Sequence, residues 1–143
     1  MKSNIVKSSR TSTSLQLDPS YFATMTAAER LICFEALKAT AETTLGFLNQ
    51  PRCYTDDGEN NNAAGRFLED LLEVLSRAST FVEEAAKGDS SSVPKEVETN
   101  AWLLLMVNAS YADGLPRFAA LAAELVAKVA SAELHARRTE TVQ

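Results

Sequence analysis

Histidine occurs once in this 143-residue chain, cysteine twice and glycine five times, with no two glycines adjacent. Each scarcity removes a class of chemistry. A zinc site needs about four closely arranged Cys, His or acidic ligands, whereas Cys33, Cys53 and His135 lie far apart in sequence. A carboxylate-bridged di-iron bundle needs two Glu-x-x-His pairs; Ala132 stands three residues before His135, and no second histidine exists. A nucleophilic triad would have to rest on His135, in the last turn of the final helix, where ends fray. Without a glycine-rich loop there is no backbone cradle for phosphates. No catalytic residue, metal ligand or cofactor is expected.

Long apolar runs are also missing. The longest, Ala101–Val107 (AWLLLMV), falls well short of the roughly 18 residues that span a bilayer, so no membrane segment is expected. The first nineteen residues lack the apolar middle of a secretory signal. They carry Lys2, Lys7 and Arg10 against Asp18, a net charge of +2, and are rich in Ser and Thr. Transit peptides share that composition, but the expectation is a disordered arm, a cytoplasmic address, and two reduced cysteines. The remainder carries a net −7 and the whole chain −5. That balance argues against nucleic acid as a partner, because such binding needs a concentrated basic face.

What is present is helical periodicity. Residues 20–143 read as one domain with four helical segments. The first spans about Thr26–Leu48, opened by a Thr26/Glu29 capping box and ended before Pro51. Its apolar side is Leu31, Phe34, Leu37, Ala41, Leu45 and Leu48. The second spans about Asn62–Lys87. Ala64, Leu68, Leu71, Leu75, Ala78, Val82 and Ala85 recur in steps of four and three, flanked by Phe67, Val74 and Phe81. Glu69, Glu73, Glu83 and Glu84 lie off that stripe, and Arg66/Asp70 and Glu73/Arg77 are i,i+4 pairs worth a few tenths of a kcal/mol each. After Gly88 and a linker, Pro94 opens a third helix to about Asp113, apolar nearly all round in its middle. Pro116 opens the fourth, with Phe118, Leu121, Ala122, Leu125, Val129 and Ala132 inward. The expected fold is all-α: an antiparallel up-down four-helix bundle, the third and fourth helices being alternatively one kinked helix.

One polar stretch, Cys53–Asn62 (CYTDDGENNN), resembles a cation loop. Aligning Gly58 with the glycine of an EF-hand puts Cys53 where the first acid belongs and Ala64 where the bidentate Glu belongs. Asp57-Gly58 is turn chemistry, and Asn61 or Asn62 suits a helix N-cap. The stretch is therefore expected to be a helix connection. Cys33 reads as a small buried hydrophobe; Cys53 is a loop thiol whose neighbours Arg52, Asp56 and Asp57 pull its acidity in opposite directions.

Without a catalytic constellation, the expected role is a protein–protein interaction module: a regulator, adaptor, chaperone or assembly subunit. The all-apolar middle of the third helix supplies the candidate interface, Trp102, Leu103, Leu105, Met106 and Asn108. Two-fold self-association into a homodimer would bury such a patch most simply. Asn108 continues the spacing Val97, Ala101, Leu104 into the core, where a buried amide can set pairing register; the plainer expectation is a bond to a neighbouring backbone group or a place at an edge. The alternative function is binding of a small apolar molecule between the helices, lined by Phe34, Phe67, Phe81, Trp102 and Phe118.

Overall fold

In a computed structural model the protein is described over residues 17–111 and 114–141. Most of the expected arm, residues 1–16, lies outside the described residues. The described chain is all-α: α1 (Pro19–Ala23), α2 (Ala27–Leu48), a 3-10 turn (Pro51–Cys53), α3 (Ala63–Lys87), α4 (Pro94–Tyr111) and α5 (Leu115–Glu140). No helix among the described residues is long and apolar enough to cross a membrane.

The boundaries follow local chemistry. Thr26 Oγ1 accepts from the Glu29 amide at 3.2 Å while the Glu29 carboxylate accepts from the Thr26 amide at 2.8 Å, closing the capping box of α2. Asn62 caps α3 by accepting from Ala64 and Gly65 at 3.0 Å each. Pro94 and Pro116 sit in the first turns of α4 and α5, where a missing N–H costs nothing. Gly114 has φ 121°, a backbone conformation open mainly to glycine, and it separates α4 from α5. These are therefore two helices packed against each other, not one kinked helix.

α1 is an element that periodicity does not reveal. It is a five-residue turn built from an Asp18 N-cap and Pro19. It buries Phe22, whose ring lies 6.3 Å from that of Phe81, and Leu17 also packs against the core. Leu17 and Phe22 thus both join the packed body.

Helices α2, α3 and α4 pack on one another, α1 lies on α3, and α5 lies along α4 without a comparable seam to α2 or α3. The core contains Phe22, Phe34, Ala78, Val82, Leu103, Leu104, Val107 and Leu125, with Val82 and Leu103 fully buried. Each such large apolar side chain contributes about 1.5–3 kcal/mol. The seam of α2 keeps Phe34 buried and Leu31 and Leu37 packed against the core, as expected, but it also buries Ala27, Arg30 and Thr44, while Leu45 is exposed. Thr44 meets its own need by donating to the Thr40 carbonyl at 2.8 Å. On α3, Glu73 and Arg77 pair at 2.8 Å on the surface. Arg66 turns to the Asn61 carbonyl at 3.3 Å instead of to Asp70.

Candidate functional site

Where α5 lies along α4 the two helices leave an open groove of about 710 Å3. Its floor and walls are Ala101, Trp102 and Leu105 from α4 with Leu125, Val126 and Val129 from α5, and Leu31 from α2 also borders it; Lys95, Glu98 and Glu133 stand on the rim. Two of the side chains that face it are unusually exposed for their size. Trp102 is 59% exposed and Val126 66%, and further along the same face of α5 Leu134 is 58% exposed. Of the 26 residues of α5 only Leu125 is buried. The helix therefore shows two apolar arcs. One, through Leu121, Leu125 and Val129, packs inward. The other runs through Ala119, Ala123, Val126, Ala130 and Leu134 in helical steps and faces outward.

The five interface candidates divide. Trp102 and Leu105 line the groove; Met106 is half-buried and packs on the core. Leu103 is 0% exposed. It belongs to the interior and cannot touch a partner, because successive residues of an α4 turn point some 100° apart and Trp102 takes the outward direction. Asn108 donates its amide to the Leu104 carbonyl at 2.8 Å, within its own helix. The buried amide of α4 is Asn100 instead. Of the aromatics expected to line an internal ligand site, only Trp102 borders the groove. Phe34 and Phe81 lie in or against the core, and Phe67 is exposed.

Asn100 belongs to a polar cluster that sequence reading missed. Arg30, 2% exposed, forms an ion pair with Asp89 in the α3–α4 linker. It also donates to Asn100 Oδ1 at 3.2 Å and to the Met25 carbonyl at 2.9 Å. Asn100 Nδ2 donates to the same Asp89 carboxylate at 2.7 Å. Glu96 reaches across from α4 to accept from the Ala27 amide at 2.7 Å. Burial pushes the Asp89 carboxyl up, but the Ser91 amide, Asn100 and the Arg30 guanidinium together hold it below the usual carboxylate range. Nothing here pairs a nucleophile with a base, so the cluster's chemistry is that of a clasp. It ties the start of α2 to the linker and to the first half of α4, and so fixes the base on which the groove stands. The signal was available: Arg30 precedes Phe34, Leu37 and Ala41 at steps of four, three and four, a core register that obliges a charge to be paired.

The polar loop is a compact reversal. The Thr55 amide donates to the Asn60 carbonyl at 2.8 Å and the Asn62 amide to the Cys53 carbonyl at 2.9 Å, around Gly58, whose φ is 72°. Asn62 donates to the carbonyls of Arg52 and Tyr54 at 2.7 and 3.1 Å while capping α3. The Thr55 hydroxyl and then the Glu59 amide hold Asp57 below the usual carboxylate range. Among the described residues no three His, Cys, Asp or Glu side chains come together as metal ligands would. Cys53 is buried and donates its thiol to the Phe47 carbonyl at 3.2 Å, and Arg52 stacks over the Phe47 ring at 5.6 Å. Cys33 is half-buried against Met25, Sγ to Sδ 3.9 Å.

The chain matches no protein-family model, no curated protein and no solved structure. The groove is thus read from its own chemistry.

Proposed function

We propose that this protein is a non-enzymatic, cytoplasmic protein–protein interaction module, a regulator, adaptor or assembly subunit that engages its partner through the α4–α5 groove. Its four long helices follow an antiparallel up-down order with α5 outermost. The observation that carries the reading is Trp102: a tryptophan 59% exposed beside a groove whose floor and walls are otherwise aliphatic and whose rim is charged. A large aromatic left half in water is costly for a free monomer and is the residue type most enriched where partners meet. A photo-crosslinking residue at position 102 should trap a defined protein adduct in cells. The same residue at position 77, on the solvated face of α3, should not. Equal yields from both positions would sink the proposal.

A second reading, an apolar small molecule in the same groove, is supported by its volume, which lies within the roughly 300–1,000 Å3 of ligand sites. A thermal-shift panel of lipids and aromatic cofactors separates the two. Stabilisation by one compound class favours the ligand, and no shift with any leaves the protein partner.

A further inference from the structure

Resting on that reading of the groove, we infer that its occupant is a second copy of this chain: two α4–α5 hairpins meet about a two-fold axis and complete a four-helix bundle across the interface. Three observations lead there. The first is architectural. α5 has one helical neighbour of any extent, α4, and carries an apolar arc on each of two faces. An antiparallel helix pair with an unfilled outward seam is half of a four-helix bundle, and a second identical pair supplies the other half.

The second observation is the surface balance. A compact protein of 15.5 kDa exposes roughly 7,200 Å2, whereas this chain exposes 10814 Å2. Even with every residue outside the described set counted at full exposure, roughly 3,200 Å2, the described body carries about 1,200 Å2 more than a compact body of its mass. A specific interface takes about 800 Å2 from each partner, so the surplus suffices for one face.

The third observation is that the face complements itself. An isologous interface requires each feature to find its counterpart on the same patch. Trp102 projects beside a groove walled by Leu125, Val126 and Val129, so each copy offers one ridge and one receptacle. On the rim Lys95 is held at 3.0 Å by Glu98, and among the described residues Glu133 forms no ion pair. Two-fold packing sets Lys95 of each copy against Glu133 of the other, giving two symmetric cross-pairs. An unrelated partner would have to match this alternation by coincidence; a second copy carries it already.

Sedimentation equilibrium of the full chain between about 1 and 100 μM tests the inference, that being the weak end of affinities for interfaces of this size. The wild type should sediment as a dimer. Val126→Glu is tolerated by the monomer because the position is 66% exposed. It should raise the dimer dissociation constant about a hundredfold or more while leaving helical circular dichroism intact. Lys95→Glu and Glu133→Lys should each weaken the dimer, and their combination should restore it. A chain that is monomeric at the highest concentration overturns the inference, as does a dimer that Val126→Glu leaves unchanged or a charge swap without rescue. The fate of the groove as an interface is read separately: a position-102 adduct of mass other than twice the chain would leave the interaction reading standing and remove only the second copy.

Discussion

Replacing Arg30 with Met tests the clasp at its centre. The substitution keeps most of the side-chain length but deletes three donated hydrogen bonds, to Asp89, Asn100 and the Met25 carbonyl. Asp89 and Asn100 are then left buried without their cation. Breaking a buried ion pair by removing one partner costs about 3–5 kcal/mol, against 0–1 kcal/mol for a surface pair. Arg30 is almost wholly buried, whereas the Asp89 side chain is 16% exposed. Partial access to water should place the loss near the lower end, about 3 kcal/mol. With a urea m-value of about 2 kcal/mol per M, the unfolding midpoint falls by about 1.5 M. Acidity adds a second signature. The folded pKa of Asp89 is depressed, so its contribution is present above the unfolded value near 3.9 and is lost as pH falls through the folded value. Without Arg30 the folded pKa of Asp89 rises, because burial still pushes it up and only the Ser91 amide and Asn100 remain to hold it down, so protonation costs the fold less. The penalty should therefore be largest at neutral pH and shrink below about pH 4. A double-mutant cycle with Asp89→Asn should show a coupling of about 1–3 kcal/mol. A loss under about 1 kcal/mol that is independent of pH would refute the reasoning, because the pair would then be behaving as a solvated one.

Two further substitutions follow from neighbouring positions with opposite environments. Leu103→Ala should cost about 2–5 kcal/mol through the cavity it opens. Trp102→Ala, followed by urea unfolding at the lowest workable concentration so that association does not contribute, should cost about 1 kcal/mol or less; a reversed order would mean that the two have exchanged faces. Gly65→Ala places a methyl against the Cys53 carbonyl and within 2.9 Å of Asn61 Cβ, and should destabilise by about 1–3 kcal/mol. Gly46→Ala meets nothing within 4 Å in the last turns of α2, and should stabilise by about 0.5–1 kcal/mol. Melting temperatures moving in the same direction for both would show that the loop does not press on α3.

Local chemistry was legible in the linear chain. The Thr26/Glu29 box, the Asn62 cap, the Pro94 and Pro116 starts and the Gly88 and Gly114 breaks act within a few residues of themselves, so their sequence signals correspond directly to helix ends. The Cys53–Asn62 stretch reads correctly as a connection for the same reason: its asparagines and Gly58 satisfy nearby backbone groups. α1 escaped because one turn is too short to show a period, and it is held by Phe22 packing on a helix far along the chain.

Which side of each helix faces inward was decided only when the helices met. Hydrophobicity alone favours Leu45 for the seam of α2, but that residue is exposed and the packed seam, beside Leu31, Phe34 and Leu37, takes in Arg30 and Thr44. Asp89 and Asn100, some sixty to seventy residues away, make a buried arginine affordable, and no local pattern announces that pairing. Likewise the apolar middle of α4 shows that some residue must lie outside, but not which one. Contact with α2 and α3 on one flank and α5 on the other buries Leu103 and leaves Trp102 at the edge of the groove. Composition and capping determined that this chain makes long amphipathic helices and little else. The tertiary arrangement, through non-local polar pairing and the rotation of each helix against its neighbours, determined which apolar residues remain for a partner.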